Sequence, residues 1–153
     1  MFVRLCTLSD MAEIKAQLEA FYAECGFLDP DRPKAFRSVE EIVADGRCFF
    51  LCEDGGKIIG SLAIEMYSPW WSTEKRMQDR WLYIYPGDRN TKAFKTLLDI
   101  AVFLAKSNEA ALYIQLNTLG ADRKRTLFKR YMEECAQVYE IKYVGGVFRP
   151  GTK

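Results

Sequence analysis

The residues with the most chemical promise lie in one run, Trp81 to Ala101, "WLYIYPGDRNTKAFKTLLDIA". Leu82, Tyr83, Ile84 and Tyr85 are β-formers, Pro86-Gly-Asp-Arg89 breaks the strand, and a helical pattern follows almost at once. A strand that stops at a short polar loop opening a helix is suited to anions. The first amides of a helix have no intrahelical acceptor, and the helix dipole favours negative charge there. Glycine is favoured in such loops because backbone must come close to the ligand. This loop instead has Asn90, Thr91, Lys92, Ala93 and Phe94. Larger residues serve if their side chains turn away, and Arg89 or Lys92 could then add charge-assisted contacts. A solvated basic helix start is the other reading of Lys92.

The chain has no histidine, which removes the usual general base, the Ser-His and Cys-His nucleophile pairs, and most zinc chemistry. Catalysis would have to use carboxylates, tyrosine, lysine, cysteine, backbone amides or a bound water. Five scattered cysteines, none in a C-x-x-C pair, suggest neither a disulfide framework nor a zinc site. Cys48 and Cys52 fall on one face of an apolar strand pattern and read as small buried hydrophobes. Tyr67, Trp70 and Trp71 form an aromatic patch in a loop, and Tyr22 and Phe27 lie near the end of the first helix. Such rings hold an amine by cation–π contact, cover an apolar substrate, or close a lid over the core. The run "RKRTLFKR" from Arg123 could hold a phosphate, an anionic partner or nucleic acid. Glu133 and Glu134 partly balance it and no recognition motif accompanies it, so a solvated helix face is the simpler reading and nucleic acid is not expected.

The elements that must position these residues are legible as patterns. "VRLCTL" reads as a strand. Asp10-Met-Ala-Glu13 reads as a capping box opening a helix with Ile14, Leu18, Phe21 and Tyr22 on one face. "LDPDRP" reads as loop, and Ser38-Val-Glu-Glu41 as a second capping box for a short helix ending by Gly46. "RCFFLCEDGGKIIGSLAIEMY" is a hairpin turning at Asp54-Gly55-Gly56. "MQDRWLYIY" is a strand, and the helix after the loop places Ala93, Leu97, Leu98, Ala101, Val102 and Ala105 on one apolar face. "ALYIQL" is a further strand, then come a basic helix and two short strands. The order β-α-α-β-β-β-α-β-α-β-β, with a hairpin-rich first half and a strand-helix-strand unit, predicts an α/β fold on a mixed sheet.

At 153 residues the chain is expected to be one domain, 1–153. A net charge of +1 gives no global field for polyanions or membranes. No stretch reaches the ~20 apolar residues of a membrane span, and the N-terminus lacks a signal-peptide pattern. A soluble cytoplasmic protein is expected. Exposed strands near the C-terminus could pair two chains into a homodimer.

The order of elements, with "YPGDRNTKAFKTLL" at its centre, resembles the GNAT family of acyl-CoA-dependent N-acyltransferases over nearly the whole chain. The family loop reads hydrophobic-x-P-x-x-R-G-x-G-x-G-x-x-L-L, and Pro86, Arg89, Leu97 and Leu98 match it. Two of its glycine positions fall on Lys92 and Phe94. A phage and prophage branch with the loop P-x-x-R-x-S-R-A-A-x-x-L-L looks closer, through Arg89, Thr91, Lys92 and Ala93 and through the basic "DRKRTLFKRY" helix.

The resemblance implies transfer of an acyl group, in the first place from acetyl-CoA, to an amine of a small molecule or protein. The cofactor would run along Tyr83, Ile84 and Tyr85, with its pyrophosphate on the amides of the loop from Arg89 through Asn90, Thr91, Lys92, Ala93 and Phe94. Asn117 and Phe128 would also line it. Glu65 and Asp79 are the implied bases, and Tyr22, Phe27, Tyr67, Trp70 and Trp71 the implied acceptor wall. The family's acid is a tyrosine at the position of Phe128, which cannot donate a proton, and Tyr131 lies close to one helical turn on. Phe128 and the missing glycines equally fit the alternative of an inactive GNAT-like scaffold acting as a phage structural or interaction protein.

Overall fold

The structure is a computed structural model that describes residues 1–25, 31–46, 48–89 and 92–114. β1 (Phe2–Leu5) leads through a short 3-10 turn, Leu8–Asp10, into α1 (Met11–Cys25), and α2 (Arg32–Ala44) follows. β2 (Phe49–Asp54), β3 (Lys57–Tyr67) and β4 (Arg76–Ile84) come next, then α3 (Ala93–Ser107) and β5 (Ala111–Tyr113). The described strands form one sheet in the order β1-β2-β3-β4-β5, antiparallel up to β4 and parallel between β4 and β5. This is the expected mixed α/β fold. The elements anticipated after "ALYIQL" lie outside the described residues.

The hairpin forms where glycine allows it. Asp54 pairs with Lys57, and Gly55 and Gly56 between them take φ of 58° and 82°, the two positive values of a type I′ turn. Both helix starts differ from expectation. Asp10 accepts from the Thr7 amide at 2.9 Å and the Thr7 hydroxyl at 2.8 Å, so it closes a box begun at Thr7 instead of opening one toward Glu13. α2 starts six residues before Ser38, because Asp31 accepts from the Lys34 amide at 3.0 Å and Pro33 stands in the first turn. Part of "LDPDRP" is therefore helix. Cys48 precedes β2, with a left-handed φ of 69°, and packs half-buried against the same core as Cys52. Cys52 is buried as expected; Cys6 is buried too, and burial pushes its thiol up to about 11.

Two cores flank the sheet. On one face α3 lays Phe94, Leu97, Leu98, Ala101 and Ala105 against Cys52, Leu62, Ile64, Met77, Ile84 and Leu112. On the other, α1 and α2 bring Ile14, Leu18 and Val43 to Phe49, Leu51 and Ala63. Strand alternation explains this division along β2 and along β3 from Ser61 onward. Nearer the hairpin Cys52 pairs with Gly60 and Glu53 with Ile58, and the extra residue Ile59 lets both Ile59 and Leu62 face α3. Along β4 alternation would fail without a bulge. Ala63 pairs with Trp81 but Ile64 pairs with Asp79, leaving Arg80 as the extra residue. That residue switches the parity, so Met77 before it and Leu82 and Ile84 after it all pack toward α3.

Candidate functional site

The site is built at the corner where β4 gives way to α3. The Tyr85 amide donates to the Ile59 carbonyl at 3.1 Å, and the Asp88 amide to the Tyr85 carbonyl at 2.8 Å, so the corner stays tied to β3 as it turns. Lys57, from the hairpin tip, pairs with Asp88 at 3.0 Å. At the start of α3 the Thr96 amide donates to the Lys92 carbonyl at 2.9 Å, closing the first helical turn. Lys92 is exposed, whereas Ala93 and Phe94 are buried. Phe94 turns into the α3 core, away from the outer side of the helix start. A bulky residue is thus accommodated at a position where the resemblance expects glycine.

β4 pairs with β3 as far as Ile84, and among the described residues its parallel ladder with β5 covers Arg76, Met77 and Gln78. As alternation predicts, Ile84 faces α3 while Tyr83 and Tyr85 face α1. Trp81 joins them in an aromatic row, with centroids 5.6 Å apart from Trp81 to Tyr83 and again from Tyr83 to Tyr85.

α1 answers this row with a stripe that sequence reading missed. Glu13, Gln17, Phe21 and Glu24 recur at three- and four-residue spacing and so share one helix face. Glu13 accepts from the Tyr85 hydroxyl at 2.9 Å. Gln17, fully buried, accepts at 2.5 Å from the Ser61 hydroxyl, which itself accepts from the Trp81 indole at 2.8 Å. Phe21 meets Trp81 edge-on at 5.0 Å and Tyr83 at 6.2 Å. Glu24 takes both terminal nitrogens of Arg89, at 2.6 and 2.5 Å. The Arg89 Nε donates to the Ile84 carbonyl at 3.0 Å, and the guanidinium lies 5.8 Å from the Tyr83 ring centre. The available signal was a set of polar residues on the apolar face of a helix.

A cleft of about 570 Å³ opens at this corner, with Glu13, Lys57, Tyr85, Pro86 and Asp88 on its walls. Burial, reinforced by the bond to Glu13, raises the Tyr85 phenol well above its usual value. Tyr85 is therefore a protonated donor at physiological pH.

The other anticipated residues scatter. Glu65 is half-buried and paired with Arg80, with Gln78 donating to it at 3.3 Å. Asp79 is buried at 7 % exposure. Tyr22 is half-buried under the Arg32 guanidinium, 5.5 Å from its ring centre. Tyr67, Trp70 and Trp71 belong to the opposite end of the β3–β4 hairpin, since Tyr67 pairs with Arg76. Nine residues of β4 separate that end from the corner, roughly 26 Å at the rise of a strand. Trp70 and Trp71 pack on each other at 5.3 Å and are exposed. Phe27, Asn90, Thr91, Asn117, Phe128 and Tyr131 lie outside the described residues.

No protein-family model matches the chain, and no curated protein matches it in sequence. Solved structures do share its fold. A ribosomal-protein-alanine N-acetyltransferase from Brucella melitensis biovar Abortus 2308 superposes with a TM-score of 0.66 at 16% identity, over 97% of this chain and 99% of that one. A predicted acetyltransferase from Clostridium acetobutylicum, solved with acetyl-CoA, gives 0.66 at 14% identity over 97% and 94%. An aminoglycoside acetyltransferase from an uncultured soil metagenomic sample, solved with sisomicin, gives 0.65 at 14% identity over 95% of each chain. The fold is that of these acetyltransferases. No described helix is long and apolar enough to cross a membrane.

Proposed function

We propose that this chain is an acyl-CoA-dependent N-acyltransferase of the GNAT type, of a phage-like branch, with acetyl-CoA as donor and an amine as acceptor. The observation that carries the reading is the corner itself. β4 runs to Ile84 and turns through Pro86–Asp88 toward α3, in a fold shared over nearly all of the chain with acetyltransferases. The residues fit such a donor: the β4 edge along Tyr83, Ile84 and Tyr85 for pantetheine, and the loop of Arg89 through Phe94 for pyrophosphate, with Phe94 turned inward.

Acetyl-CoA supplies the thioester carbon and a thiolate leaving group. The acceptor nitrogen attacks that carbon, the C–S bond breaks, one proton leaves the nitrogen and one reaches the thiolate, giving an amide and free coenzyme A. Glu65 and Asp79 are the proposed bases and Tyr131 the proposed acid, with Asn117 and Phe128 beside the cofactor. Tyr22, Phe27, Tyr67, Trp70 and Trp71 remain the proposed acceptor wall. For Trp70 and Trp71 this requires an acceptor that reaches the far end of the hairpin, as a protein or a long amine does. A small-molecule amine is the acceptor class favoured by likeness to the aminoglycoside acetyltransferase. The protein is proposed to work in the cytoplasm as a single domain.

Binding of acetyl-CoA to the folded state alone raises stability by about 2.7 kcal/mol at a hundredfold excess over Kd. For a chain of this size that is a melting shift of roughly 5–10 °C. Release of free thiol in the presence of a model amine should accompany it. No shift at millimolar acetyl-CoA sinks the reading, and a shift without turnover leaves the inactive scaffold in its place.

A further inference from the structure

Arg89 stands in the loop that opens α3, yet its guanidinium is turned back onto α1. Its two terminal nitrogens are committed to Glu24, and its Nε edge to the Ile84 carbonyl. A guanidinium grips a phosphate bidentately through the same pair of terminal nitrogens that grips a carboxylate. Glu24 and a diphosphate at the helix start therefore compete for one edge of one side chain. The pair is easily broken, because Arg89 is 42% exposed and Glu24 30% exposed, and exposed ion pairs are weak.

The place Arg89 occupies is a complete cation seat: a carboxylate, a backbone carbonyl and an aromatic face. A cation in that seat keeps its charge, since a carboxylate stabilises the protonated form. It cannot be the nucleophile, so the nitrogen that attacks must be a second one on the same molecule.

We propose that Glu24, the Ile84 carbonyl and the face of Tyr83 form an acceptor subsite for a di- or polyamine, which Arg89 plugs until the donor's diphosphate draws it away. This rests on the acyltransferase reading and adds to it an acceptor class and a coupling of the donor and acceptor sites through one side chain. Linkage makes the coupling reciprocal.

Calorimetry with coenzyme A and with 1,4-diaminobutane, on the full chain and on Glu24→Gln, tests it. The substitution preserves shape and removes the competitor for Arg89. Coenzyme A should bind Glu24→Gln roughly two- to fivefold tighter than wild type, the size of an exposed ion pair. Saturating coenzyme A should tighten 1,4-diaminobutane binding to the wild type by a similar factor, and this gain should vanish in Glu24→Gln. Butylamine, with one nitrogen, should bind more weakly than the diamine. Coenzyme A affinity that is unchanged or weaker in Glu24→Gln overturns the plug, as does diamine affinity indifferent to coenzyme A. Butylamine binding as tightly as the diamine overturns the acceptor class. A wild type that binds no coenzyme A at all overturns the acyltransferase reading itself, and this inference with it.

Discussion

Ser61 has to satisfy two buried neighbours at once. Its hydroxyl accepts from the Trp81 indole and donates to Gln17, and both Ser61 and Gln17 are fully buried. Ser61→Ala strands a donor and an acceptor away from water, and each costs about 1–3 kcal/mol when left unmade. Urea unfolding should show a loss of at least 2 kcal/mol with an unchanged slope; a loss below 0.5 kcal/mol would mean that water replaces the hydroxyl. Asp10 is the residue to watch in acid. Hydrogen bonds from Arg4 hold its carboxyl well below the usual range, so ionised Asp10 stabilises the fold fully above the ordinary carboxylate value near ~4. That contribution, about 1 kcal/mol for a half-buried pair, is lost as pH falls from there toward the folded value. Asp10→Asn should lower stability at neutral pH and flatten its acid limb below about pH 4. An acid limb identical to wild type would refute the assignment. Neither network was legible in the sequence. Glu13 reads only as a capping residue and Gln17 and Glu24 not at all, because helical periodicity finds apolar faces and is blind to polar residues covered by a partner strand.

At the scale of elements, spacing revealed more than boundaries did. The Gly55-Gly56 hairpin and the apolar face of α3 follow local rules that a sequence states outright. The start of α2 did not, because Ser38 and Asp31 both head plausible capping patterns, and Asp31 wins by adding Pro33 in the first turn. Still less visible was the bulge at Arg80, since an extra residue in a strand leaves composition untouched. Its consequence is large: it alone lets Met77 and Ile84 face one core while Tyr83 and Tyr85 face α1. Deleting Arg80 should restore simple alternation and still leave Met77, Leu82 and Ile84 on the α3 face and the Trp81–Tyr85 row on the other, so that variant should fold. Arg80→Ala keeps the register and removes only one of the partners of Glu65, so it should cost less than about 1 kcal/mol. Circular dichroism and urea unfolding of the two variants check this: a deletion variant that does not fold would show that the bulge does more than set which side chains face which core.

Across the whole molecule, the sheet is what the two cores share. Leu51 and Cys52 are neighbours in β2, yet the first belongs to the α1–α2 core and the second to the α3 core. The same strands thus carry both halves, and neither core has a sheet of its own to keep if the other melts. This sharing was implied by the element order, which called for helices on a mixed sheet. The choice of which helix covers which face needs the strand order and the bulge, and those are fixed by pairing between distant segments. The chain should therefore unfold as one unit, and its two cores should respond independently to small changes. Ile14→Val empties space in the α1–α2 core and Ile59→Val in the α3 core, each worth about 0.5–1.5 kcal/mol. Lying on opposite faces without a common contact, their effects should add to within about 0.5 kcal/mol in the double variant. Trp fluorescence and far-ultraviolet circular dichroism should trace one coincident urea transition for all three proteins. Two separated transitions, or one core melting while the other persists, would show instead that the helices on either face fold as separate units laid over the sheet.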